Sequence, residues 1–251
     1  MLGTYSILGI PYNTAFDTLY YALSAASIAI LIYTIILGFE KRRKLADSAL
    51  RTQFLGIAIS ASGFAVSIFT GVFLDTLTRM AIIDQLLYQQ LHFSIFYVGS
   101  AMILFGINSS LSMVQGRISM TKNMILRHLQ VILWAGFFAT VVLSAFYLFT
   151  VHVGPSHHVA QQPIFFLPVI LIIIIGIVGL PFMAFYSKGV LRKSLTWFGL
   201  SFFFLLIGAL REATVIPSTG DPLADLLVAF LPFVIVSTCL YFSTRSLNSR
   251  G

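Results

Sequence analysis

The chain has 251 residues, of which 58% are apolar and 9% charged, with a mean hydropathy of +0.96. A soluble domain of this size carries far more charged surface, so lipid must cover much of this one. The net charge of +7 does not point to nucleic acid, because the basic residues gather in a few short loops, where charge sets orientation across a membrane.

Residues 1–17 contain no Lys or Arg and no small-residue cleavage pattern, so the first helix is expected to be retained rather than removed as a signal peptide. Seven apolar runs follow, each near the roughly 20 helical residues that span a hydrocarbon core. They lie at 19–39, 54–74, 85–107, 129–149, 164–186, 194–213 and 223–242. Continuous runs of this length argue against a membrane β-barrel, whose strands alternate over about ten residues. The expectation is an all-α, polytopic membrane protein: one seven-transmembrane helix bundle filling residues 1–251, in the cell membrane.

The first run carries a small patch at Ala22, Ala25, Ala26 and Ala29, and stops at Glu40-Lys41-Arg42-Arg43-Lys44. In the second, Gly56, Ser60, Gly63, Ser67 and Gly71 are spaced by four, three, four and four. They share one helix face and would let a neighbouring backbone come close, which is how helices associate in lipid. The first run's alanines suggest a similar contact.

The third run is the most polar. Gln85, Tyr88, Gln89, His92, Phe96, Gly99 and Ser100 recur at helical spacing, and their polar groups need partners inside a bundle. His92 sits about 10 Å below the outer boundary at the usual helical rise. An ionisable group at such a depth is a functional candidate by default, and a neutral histidine bonded to a neighbouring helix is the structural alternative. The connection 108–128 is the longest, and partly helical character is expected there. In the fifth run, Gly176, Gly179 and Pro181 predict a bend, because proline removes one helical hydrogen bond.

Orientation follows from the basic residues. Of the 15 Lys and Arg, 13 fall on one side, and only Arg79 and Arg211 fall on the other. The positive-inside rule then places the N-terminus outside and the C-terminus in the cytoplasm. Asp17, Asp75, Asp84, Glu212, Asp221 and Asp225 lie near the outer ends, as do His152, His157 and His158. None forms a compact ligand pattern such as HExxH, so no metal site is expected. The single cysteine, Cys239, permits no intramolecular disulfide.

Most seven-helix families fail on their own residues. Run 223–242 has no lysine to hold retinal, and the inner end of run three reads Asn108-Ser109-Ser110 rather than an acidic–Arg–aromatic triplet. Run seven also lacks the His-x-x-x-His of adiponectin-receptor-type hydrolases, and runs one, two and six lack the prolines of sugar-transporting and PQ-loop families. The basic stop Glu40-Lys41-Arg42-Arg43-Lys44, the short loops and the basic residues after run seven resemble the seven-transmembrane sensor modules of prokaryotic histidine kinases. The resemblance covers the whole chain and implies a sensor. No output domain follows Phe242, so the signal is expected to pass to a separate protein.

Two function classes therefore stand side by side. The first is a sensor- or receptor-like protein, with an outward polar pocket bordered by Tyr88, Gln89, His92, Glu212 and Asp225 and signalling through a protein partner. The second is an accessory subunit of a larger membrane complex, binding haem b or quinone. In that reading His92 and His152 would be the axial pair, because His128 lies at the inner end and cannot share a haem with His92. A transporter or channel is disfavoured by the absence of charge at the midplane. An enzyme is disfavoured because no nucleophile–base pair can be identified.

Overall fold

The computed structural model describes residues 14–115, 120–150, 170–212 and 221–247. All of the secondary structure among them is helical: α1 (Thr14–Lys44), α2 (Ser48–Arg79), α3 (Gln85–Gln115), α4 (Met120–Thr150), α5 (Ile170–Tyr186), α6 (Gly189–Glu212) and α7 (Pro222–Leu247). Six of these are long and apolar enough to cross a membrane, and α5 is a shorter apolar helix over its described residues. The predicted fifth run begins at 164, so its first residues lie outside the described ones.

Sequence neighbours pack antiparallel. Tyr21 Oη lies 3.1 Å from Thr76 Oγ1 between α1 and α2. At the far end of the same pair, a Cβ on Gly38 would lie 3.0 Å from Ala58 Cβ. Helices α1 and α7 run parallel, with Tyr20 against Phe230 and Tyr33 against Tyr241. The lateral order is α4-α3-α2-α1-α7-α6-α5, and α5 touches α3. Up-and-down connection brings Arg42, Arg43, Arg51, Arg127, Lys188, Arg192, Lys193 and Arg245 to one end of the bundle.

The turns at the helix ends have local causes. The α1 carbonyl end carries Lys41, Arg42, Arg43 and Lys44, whose charge complements the helix dipole. Asp47 caps α2 by accepting hydrogen bonds from the amides of Ala49 (2.7 Å) and Leu50 (3.3 Å). Helix α2 ends in a Schellman turn: the Ala81 amide donates to Thr78 O and that of Ile82 to Leu77 O, both at 3.0 Å. Ala81 occupies the left-handed position with φ 55°, where glycine is usual. Asp84 then caps α3, accepting from the Leu87 amide at 2.7 Å.

The glycine face of α2 meets a glycine face of α3. A Cβ on Gly56 would stand 2.6 Å from Gly106 O, and one on Gly63 would collide with Gly99 O. The two backbones are therefore in contact along the seam, as small residues permit. Serine pairs tie other helices together. Ser144 Oγ donates to Ser94 O (2.8 Å) between α3 and α4, and Ser243 Oγ donates to Ser194 O (2.8 Å) between α6 and α7.

Three expectations need correction or refinement. The α1 alanines do not face a neighbour: Ala22, Ala25, Ala26 and Ala29 are all exposed. The buried stripe of α1 is Tyr20, Ser24, Ser27, Leu31, Thr34 and Gly38, directed at α2 and α7, which leaves the alanines on the opposite side. The supposed long connection 108–128 is almost wholly helical, because α3 continues to Gln115 and α4 starts at Met120. Its serines do not break α3: Ser109, Ser110 and Ser112 donate back to the carbonyls of Phe105, Gly106 and Asn108. The bend in α5 takes the form of a π-helical turn at Ile175–Gly179, just before Pro181. Gly176 there lies flat against the Phe202 ring of α6, and a Cβ on Gly199 would lie 3.1 Å from Pro181 Cδ.

The interior is filled by Leu31, Phe54, Ile57, Phe64, Ile107, Leu133, Phe198 and Phe202 among others. Serines and threonines are buried with them, while Tyr33, Phe69, Val131, Phe138, Val142 and Phe185 point outward. Polar groups inside and large apolar groups outside is the arrangement that hydrocarbon surroundings favour.

Candidate functional site

Helix α3 starts at the end of the bundle opposite the basic residues, and its first turns carry the polar face. Tyr88 and His92, one turn apart, stack with ring centroids 5.4 Å apart and an 8° interplanar angle. Phe93 meets the imidazole edge-on at 5.5 Å. Across the interface, Gly71 of α2 faces the ring: a Cβ there would be in ordinary contact, 3.4 Å from His92 Cε1. The lower α2–α3 seam brings backbone to backbone, whereas here an imidazole lies between the two helices. His92 Nδ1 is buried and finds no hydrogen-bond partner among the described residues.

Asp75 lies one turn beyond Gly71 on α2 and is only 6% exposed. By sequence it is simply one of several outer-end acids; burial sets it apart. The Tyr21–Thr76 contact and the edge-to-face pair of Tyr20 with Phe230 complete this end of the α1–α2–α7 interface. Leu226 of α7 is fully buried against Tyr20, with Val72 of α2 packed on the same cluster.

Of the five residues chosen from sequence, Tyr88 and His92 are brought into contact. Gln89 lies between them on α3, Glu212 is the last residue of α6, and Asp225 is in the first turn of α7 beside Leu226. All three belong to the same end of the bundle, and their side chains are outside the described ones. His152, the second residue of the haem reading, also lies outside the described residues. His128 is at the basic end, exposed, and its Nδ1–H donates to Met124 O at 2.7 Å. Among the described residues, no three His, Cys, Asp or Glu side chains gather into a metal-binding set.

Two further buried polar residues escaped the sequence reading. Gln53 of α2 is fully buried, and neither of its amide heteroatoms finds a hydrogen-bond partner among the described residues. Asn108 of α3 is 6% exposed with Oδ1 likewise unpartnered. Both sit toward the basic end. Gln53 was legible as a seam residue, since it precedes Gly56 by three and Ser60 by seven on the same helix face.

Chemically, the outer cluster offers an imidazole that can accept or donate a hydrogen bond, a phenol, and a buried carboxylate on the adjoining helix. Neither a family model, nor a curated protein, nor a solved structure matches the chain. The class of protein rests on its own helices: six that are long and apolar enough to cross a membrane make it a helical, multi-pass integral membrane protein.

Proposed function

We propose that this chain is a sensor- or receptor-like membrane protein with its polar cluster facing outward and its basic end in the cytoplasm. A ligand or proton is received at Tyr88, Gln89, His92 and Asp75, with Glu212 and Asp225 bordering the entrance. Its binding favours one arrangement of the bundle, which the basic loops present to a separate partner protein. The observation that carries this reading is His92, held within a span by Gly71 and Tyr88 with a ring nitrogen unpartnered. Ionisable groups inside a membrane are costly and are usually retained for function. The glycine seam supports the coupling, since α2 and α3 in backbone contact form a continuous packed path between the two ends. The likeness of the loops and basic stop to seven-helix sensor modules points the same way.

Coupling can be measured without knowing the ligand. In lipid nanodiscs, His92→Gln should alter amide hydrogen exchange in the loops around residues 45–47 and 187–188, roughly 30 Å away at the helical rise. Changes confined to the outer halves of α2 and α3 would remove the basis for a signal. A reduced-minus-oxidised haem spectrum in protein from its native membrane, lost in His92→Ala, would replace this reading with the redox-subunit one.

A further inference from the structure

At the opposite end of the bundle, the last turns of α1 and the first turn of α2 border an open surface cleft of about 410 Å³ lined by Phe39, Arg42, Arg43 and Arg51. Residues 40–51 hold five cations against two carboxylates. Both carboxylates are engaged: Glu40 pairs with Lys44 at 2.6 Å, and Asp47 caps α2. Arg42 and Arg43 make no hydrogen bond or ion pair among the described residues. Arg51 uses one guanidinium N–H on Ala46 O at 3.3 Å, which ties it to the α1–α2 turn while the rest of its fork remains available. Three guanidinium groups line a cleft that no carboxylate lines, and arginine can grip a phosphate through paired N–H donors.

The helix face that continues from the cleft indicates where the phosphate comes from. Ile32, Ile36 and Phe39 are exposed, and with Arg43 they follow one another at spacings of four, three and four, so all four share one face of α1. An acyl chain lying along Ile32 and Ile36 would bring its glycerol to Phe39 and its headgroup to the arginines.

We propose that the Arg42–Arg43–Arg51 cleft is a binding site for a phosphate-bearing anionic group, supplied by the headgroup of an anionic phospholipid. The proposal stands apart from the sensor reading, since it uses neither His92 nor the orientation of the chain. The test is native mass spectrometry of the full chain in detergent. It is titrated with phosphatidylglycerol, with phosphatidylcholine of the same acyl chains, and with pyrophosphate. The wild type should retain one phosphatidylglycerol preferentially. The triple variant Arg42→Gln, Arg43→Gln, Arg51→Gln should weaken that binding by on the order of tenfold to a hundredfold, from the contribution of each basic residue near a surface. Arg42→Lys, Arg43→Lys, Arg51→Lys keeps the charge and the topology signal, and should lose part of the affinity because lysine cannot form the paired contact.

The matched control, Arg192→Gln, Lys193→Gln, Arg245→Gln, removes equal charge from the same end and should leave the retained lipid in place. Equal losses in the two glutamine variants, or wild-type retention that does not distinguish the two lipids, would overturn the proposal. Pyrophosphate displacing phosphatidylglycerol at equal concentration would reassign the cleft to soluble phosphates and overturn the lipid source. Failure of pyrophosphate to compete supports the headgroup.

Discussion

Gly56→Ala and Gly63→Ala test whether the α2–α3 seam holds the bundle together. At Gly56 the added carbon would lie 2.6 Å from Gly106 O, where ordinary contact begins near 3.4 Å, so the helices must separate by about 0.8 Å. The obstacle is a backbone carbonyl, which cannot rotate away as a side chain can. A gap of that size forfeits a quarter to a half of the dispersion attraction of the atoms lining it. Alanine is the better helix former by about 1 kcal/mol, which offsets part of the loss. Overpacking of a close-packed interface typically costs about 1–3 kcal/mol, and a net destabilisation within that range is expected for each variant. Gly71→Ala is the internal comparison. Its Cβ would meet only His92 Cε1 at 3.4 Å, so it should be neutral or slightly stabilising. Reversible unfolding in mixed micelles, followed by circular dichroism, gives all three values. If the Gly56 and Gly63 variants are as stable as the wild type, or if Gly71→Ala is equally damaged, the seam is not a backbone contact.

The other predictions concern local devices whose energies are separable. Ala81→Gly should stabilise by up to about 1 kcal/mol, because the left-handed position penalises a Cβ and glycine carries none; a lower midpoint in the same unfolding assay would contradict this. Asp47→Ala should lose about 1 kcal/mol with the α2 cap, whereas Asp47→Asn should retain most of it. A double-mutant cycle on Ser94→Ala and Ser144→Ala should return a coupling near 0.6 kcal/mol for the contact between the two hydroxyls, the size typical of hydrogen bonds between membrane helices. Zero coupling would mean that this contact adds nothing to the hydroxyl-to-carbonyl bonds that each single variant removes.

What could be read without a fold was whatever the bilayer imposes on each segment by itself. Continuous apolar runs announce helices because an unpaired backbone is prohibitive in hydrocarbon, and the described cations at the helix ends gather at one end of the bundle through the same up-and-down course. The α2 seam was legible because glycine and serine at helical spacing have few other uses in lipid, and of the polar face of α3 the buried Tyr88, Gly99 and Ser100 and the His92 ring packed at Gly71 were legible on the same ground. Pairing between helices was not legible. The alanines of α1 look like a seam, yet they face outward, since small residues bind only where a matching surface arrives and α2 and α7 arrive on the other side. Asp75 looked like one more acid at a helix end, and packing leaves it only 6% exposed. Asn108 was read at the inner end of its run and Gln53 falls just before the run at 54–74, and packing buries both. The arginine cleft depends on α1 and α2 meeting at the tight Asp47 turn, which sets Arg51 beside Arg42 and Arg43. Hydropathy is a property of one segment, whereas burial and convergence are properties of two, and only the tertiary structure brings the second segment.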